Sequence, residues 1–93
     1  MLPLVLPPTP IVSVNTVEYT VYIENGTNRQ AQKVLAMHDG TLAYYQEYGI
    51  MHKSGLLVSM STDISSGNLR LRATPETGVS GTTTYRITRK VNR

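Results

Sequence analysis

Cysteine is absent from this 93-residue chain, and so are phenylalanine and tryptophan. Without cysteine there is no disulfide framework to staple a small fold and no thiolate-held metal. All six aromatic residues are tyrosine. Charge is sparse: nine cations against six acids give a net charge of +3. Arg89, Lys90 and Arg93 concentrate some of that excess at the end of the sequence, where a solvated tail is the plain explanation. A nucleic-acid footprint needs a denser basic patch with stacking aromatics, so no nucleic-acid partner is expected. No run of apolar residues approaches the roughly 18 needed to span a membrane.

The opening ten residues are apolar, yet they do not read as a secretion signal. Pro3, Pro7, Pro8 and Pro10 interrupt the run, and no basic residue precedes Arg29. A signal peptide needs a charged start and an unbroken apolar core. A soluble protein made in the cytoplasm is expected. The Asn25-Gly26-Thr27 sequon then has no glycosylation to receive. A chain this short buries only about 60–65% of its unfolded surface. Its stability should be modest, and self-association or docking is the common remedy.

Residues 1–15 read as an arm, and residues 16–93 as the domain. The prolines fix φ and remove backbone donors, so the arm is extended. Leu2, Leu4, Val5, Leu6, Ile11 and Val12 are too apolar for a free tail. They require a surface, either on their own domain or, preferably, on a neighbouring subunit.

Beyond the arm, alternation with period two dominates. In residues 16–24, Val17, Tyr19, Val21 and Ile23 face one way, and Glu18, Thr20, Tyr22 and Glu24 the other. Asn25-Gly26 marks a turn. Residues 30–38 favour a helix by propensity. The Asp39-Gly40 pair that follows is a two-residue hairpin signal, so a strand paired with residues 41–51 is expected. Gly49 inside that partner suggests a bulge. Further strands are expected at 56–61, 68–74 and 82–91, with 63–68 as loop. Leu69, Leu71 and Ala73 face inward. Arg70 and Arg72 face outward, as does Arg86 on the last strand. The sum is an all-β fold: a small antiparallel β-sandwich or barrel of about six strands.

Catalytic chemistry is poorly supplied. Ser54, His52 and Asp63 carry no nucleophile motif. His38, Asp39 and His52 lack metal-ligand spacing. The seven glycines are spread about one per turn and form no phosphate loop. No catalytic, metal or cofactor site is expected. What remains is surface. Tyr44 and Tyr48 are expected in the core, with Tyr45 topping the other face, where tyrosine suits a protein interface. Tyr22 shares the outward face of its strand. Arg70, Arg72 and Arg86 would form a basic stripe if their strands pair, suited to an acidic partner surface.

Five runs carry a resemblance. They are His38-Asp39-Gly40-Thr41, Ala43-Tyr44, Glu47-Tyr48-Gly49-Ile50, residues 63–75 (Asp-Ile-Ser-Ser-Gly-Asn-Leu-Arg-Leu-Arg-Ala-Thr-Pro) and Thr84-Tyr85-Arg86. Together they resemble a β-sandwich domain recurring in virion proteins of tailed phages, cyanophages especially, over more than half of the chain. The resemblance implies a structural part of the particle and transfers no catalytic residue. A bare domain with an apolar arm suits a capsid decoration, or cement, protein. Its partners would be the major capsid protein or tail proteins, with a homo-oligomer, a trimer among its forms, as the assembly. A tail, neck or baseplate component, or a receptor- or carbohydrate-binding fibre module, is the alternative.

Overall fold

A computed structural model describes residues 4–5 and 9–92. Leu2, Leu6 and Arg93 lie outside the described residues. Two antiparallel sheets pack face to face, as the alternation requires. The strands are β1 (Leu4–Val5), β2 (Thr9–Pro10), β3 (Thr16–Asn25), β4 (Asn28–His38), β5 (Ala43–Lys53), β6 (Val58–Ser65), β7 (Asn68–Pro75) and β8 (Thr83–Asn92). Among the described residues no helix is long and apolar enough to cross a membrane.

The larger sheet has the order β5-β4-β3-β8. β3, β4 and β5 are a meander, and β8 returns to the free side of β3, with Val21 opposite Ile87. The smaller sheet is the β6-β7 hairpin plus the arm. β1 and β2 lie one after the other along the far side of β7, pairing Leu4 with Ala73, Val5 with Arg72, Thr9 with Leu69 and Pro10 with Asn68. That is why eight strands occur where about six were expected: the arm contributes two short ones. Its backbone finds a complement in the same chain. Toward the end of the arm, a single 3₁₀ turn (Ile11–Ser13) tucks Ile11 against the core and leaves Val12 exposed.

The core lies between the sheets. Val17, Tyr19, Val21 and Ile23 of β3 meet Leu69, Leu71 and Ala73 of β7, with Val34, Ala36, Val58 and Met60 around them. The expected inward faces of residues 16–24 and 68–74 are the observed ones. Leu71→Ala removes a wholly buried side chain from the middle of this layer. It is expected to lower the unfolding free energy by about 2–5 kcal/mol, read by urea denaturation.

Three turn details depart from the sequence expectation. The Asp39-Gly40 turn spans residues 39–42, because His38 pairs with Ala43. The Asp39 carboxylate accepts from the Thr41 and Leu42 amides at 2.9 and 2.7 Å, and this wider loop outcompetes a two-residue turn. β6 continues to Ser65 rather than ending near residue 61, since Thr62 and Ile64 keep its inward alternation. The loop shrinks to Ser66-Gly67, both with positive φ (52° and 77°), the requirement of a type I′ hairpin.

Gly49 does form a bulge. Lys33 pairs with Tyr48 and Ala31 with Met51, so Gly49 and Ile50 together oppose Gln32. Gly49 has φ +63°, the left-handed conformation a bulge of this type assigns to glycine. The extra residue switches the parity of β5. Ala43, Tyr45 and Glu47 share the inward face of β4 before it, and His52 does so after it.

Candidate docking surface

β4 places Gln30, Gln32, Val34 and Ala36 on one inward face, and all four are buried. The two glutamines form a polar stitch between the sheets. Gln30 Oε1 accepts from the Leu57 and Val58 amides (2.7 and 3.1 Å), while its Nε2 donates to Val58 O and to Gln32 Oε1. Gln32 Nε2 donates to Glu47 Oε2, which also accepts from the Met60 amide. Side chains of the larger sheet thus do for the outer side of β6 what a neighbouring strand would do. Sequence inspection missed this, because glutamine reads as a polar helix former. The available signal was its spacing, two positions apart and in phase with Val34 and Ala36.

Of the candidate catalytic and metal residues, His38, Asp39 and Asp63 are committed elsewhere, while His52 and Ser54 are exposed. The Gly40 amide donates to His38 Nδ1 at 2.9 Å, so Nε2 carries the proton and donates to Val14 O at 2.7 Å. Both ring nitrogens of His38 therefore serve the loop and the end of the arm. Asp63 is held by Arg70 in a bidentate pair, with Arg72 3.5 Å away, rather than by an imidazole. Among the described residues no three His, Cys, Asp or Glu side chains gather into a metal-binding group.

The basic stripe does not form. It needed β7 beside β8, and these strands lie in different sheets. Arg70 and Arg72 are half-buried beside Asp63, while Arg86 is exposed opposite Tyr22 on the far sheet. Tyr44 and Tyr48 also depart from expectation. Both lie on the outer face of the larger sheet, and both are exposed, as is Tyr45. Only Ala43 and Glu47 of β5 are even partly covered, because β5 is an edge strand. The Tyr44 hydroxyl donates to Asp39, and that of Tyr48 donates to Glu18 at 2.7 Å.

The register gathers an apolar patch on that outer face. Tyr44 lies beside Met37, Leu35 is one row along on β4, and Met51 lies beside Ala31, next to Tyr22. Leu35, Met37 and Tyr44 are 43%, 47% and 46% exposed, and Met51 66%. A shallow depression of about 250 Å³ runs between Leu35, Met37, Tyr44, Tyr45 and Gln46. The Glu18–Lys33 pair (3.2 Å) crosses the face between Met51 and the apolar cluster of Leu35, Met37 and Tyr44, and Lys90 lies opposite Glu18 on β8. An apolar surface with a polar rim is the anatomy of a protein interface.

Three carboxylates sit below their ordinary range. Asp39 is lowered by the Leu42 and Thr41 amides, Asp63 by its hydrogen bond from Arg70, and Glu18 by Tyr48 and Lys33. A folded-state value below the unfolded one stabilises above the ordinary carboxylate range, and the gain is lost as pH falls through the folded value. The thermal midpoint is therefore expected to hold down to about pH 5 and to drop below about pH 4. Tyr19 is the opposite case. Burial raises its hydroxyl pKa, against the opposing influence of Arg89 and Thr9. Among the described residues that hydroxyl has no partner in hydrogen-bond geometry. Tyr19→Phe should leave the urea midpoint unchanged or raise it, since no bond is lost and a buried polar atom is removed.

No family model matches this chain, and no curated protein matches it in sequence.

Proposed function

We propose that this chain is a structural protein of a tailed-phage virion, most specifically a capsid decoration protein. Its docking surface would be the outer face of the larger sheet. The observation that carries the proposal is the exposed apolar cluster of Leu35, Met37 and Tyr44 on the outer face of the four-stranded sheet. The resemblance of residues 34–89 to virion β domains supplies the kind of partner. Four strands about 4.8 Å apart and ten residues long cover about 600 Å². That is somewhat less than the roughly 800 Å² per partner of a stable interface, which suits a protein bound in many copies on a repeating shell. With its described backbone paired to β7, the arm would serve as a brace and, through Val12, as an accessory contact.

Quantitative mass spectrometry of gradient-purified phage particles, produced from the genome that encodes this chain, tests the proposal. Many copies per particle, surviving a salt wash, are the expected result. Recovery only in the soluble fraction would overturn it. A tail or baseplate position would appear as a few copies per particle. The depression beside Tyr45 favours a second reading, a glycan-binding module of a fibre. A glycan-array signal abolished by Tyr45→Ala would establish that instead.

A further inference from the structure

One strand edge of this protein differs from the rest. In the smaller sheet, Gln30 and Glu47 cap the start of the outer side of β6, from Leu57 to Met60, and β1 and β2 pair along the far side of β7. Among the described residues the larger sheet has two open edges, β8 and β5. β8 carries Arg86, Arg89 and Lys90, and repeated positive charge guards an edge against pairing. β5 is eleven residues long. Its charges are Glu47 and, at the last position, Lys53, and between them stand Tyr48, Ile50 and Met51. A long edge so lightly charged is a template for another strand.

We infer that the occupant of this edge is β5 of a second copy, paired antiparallel about a two-fold axis through the Gly49-Ile50 bulge. The parity switch at the bulge dictates that position. Partners across an antiparallel pair share a face. Residues on one side of the bulge keep that rule over a long overlap only when they meet residues from the other side. An axis between Gly49 and Ile50 sets Tyr48 opposite Met51 of the second copy, Glu47 opposite His52, and Gln46 opposite Lys53. Symmetry makes each pair twice. Tyr48, Met51, Gln46 and Lys53 are all on the outer face, while Glu47 and His52 are both on the inner one. Glu47 uses Oε2 for Gln32 and Met60, which leaves Oε1 to accept from the imidazole across the axis. A tyrosine against a methionine sulfur is itself a favourable contact. An axis placed at Gln46 would pair only the residues ahead of the bulge and would set Glu47 against Tyr45, with no imidazole to meet.

The product is one continuous eight-stranded sheet, and its two outer patches merge on a single face of about 1,200 Å². The pairing names the form of self-association within the particle proposal and replaces a trimer with a two-fold dimer. Its test uses purified protein, so it can fail or hold independently of the particle experiment.

Gln46 reads out the register, because it is exposed and meets a lysine. Sedimentation equilibrium on the full chain should show twice the 10.3 kDa protomer mass. Gln46→Glu adds two ion pairs and should tighten the dimer about threefold or more, whereas Gln46→Lys should weaken it by a similar factor. Circular dichroism of both variants should match the parent. Three results would overturn the pairing: a chain at protomer mass up to about millimolar concentration, a dimer that both variants affect alike, or a dimer that neither variant affects.

Discussion

Gln30→Met should lower the unfolding free energy by about 3 kcal/mol, although it preserves side-chain length and apolar bulk. The Leu57 and Val58 amides and the Val58 carbonyl all lose their partner, and Gln32 loses one of its own. A buried donor or acceptor left unpaired costs about 1–3 kcal/mol, against which the gain from a more apolar side chain is smaller. A domain of this size is stable by only about 5–14 kcal/mol, so the shift in urea midpoint should be conspicuous. Gln30→Glu separates the hydrogen-bond account from simple packing. Its carboxylate could still accept from both amides, but it would face Val58 O and Gln32 Oε1 with no proton to offer. It should be at least as damaging as methionine. A midpoint within 0.5 kcal/mol (about the scale of an ordinary surface change) for both variants would mean that water or rearranged backbone takes over those groups.

The second large effect concerns binding rather than folding. Leu35→Thr with Met37→Lys replaces the middle of the outer-face patch by residues compatible with a strand. Both side chains are roughly half exposed, so the cost in stability should be under about 1 kcal/mol. Occupancy on particles should fall about 100-fold, since the centre of an apolar patch carries most of the binding energy. The same variant should keep its protomer–protomer pairing, because neither residue lies on β5. Undiminished occupancy would move the docking surface elsewhere, with Val12 and the arm as the first alternative.

The residues showed some of this plainly and hid the rest for identifiable reasons. Val17 to Ile23 and Leu69 to Ala73 announced their inward faces because strict alternation has one physical meaning in a half-buried strand. Gly49 announced a bulge because only a special backbone conformation explains glycine among tyrosines. The burial of Gln30 and Gln32 was hidden, since it depends on where the open side of β6 falls, and that is set by the packing of two sheets. The exposure of Tyr44 and Tyr48 was hidden for a related reason: alternation sets them opposite Tyr45 but does not say which of the two faces turns to the core, and Tyr45 on the inward face is exposed because β5 is an edge strand. The separation of Arg86 from Arg70 and Arg72 follows from sheet partition, which local pattern does not encode. The arm's apolar content called for a surface, preferably on a neighbouring subunit; its described backbone pairs with β7 of the same chain, a partner that prolines and apolar residues do not name.

Hydrogen exchange read by mass spectrometry, on the free chain and on the particle-bound chain, tests the docking surface most directly. Added protection over residues 28–53, with residues 58–75 unchanged, is the expected pattern. Protection confined to the first 15 residues, or to the β6-β7 hairpin, would contradict it.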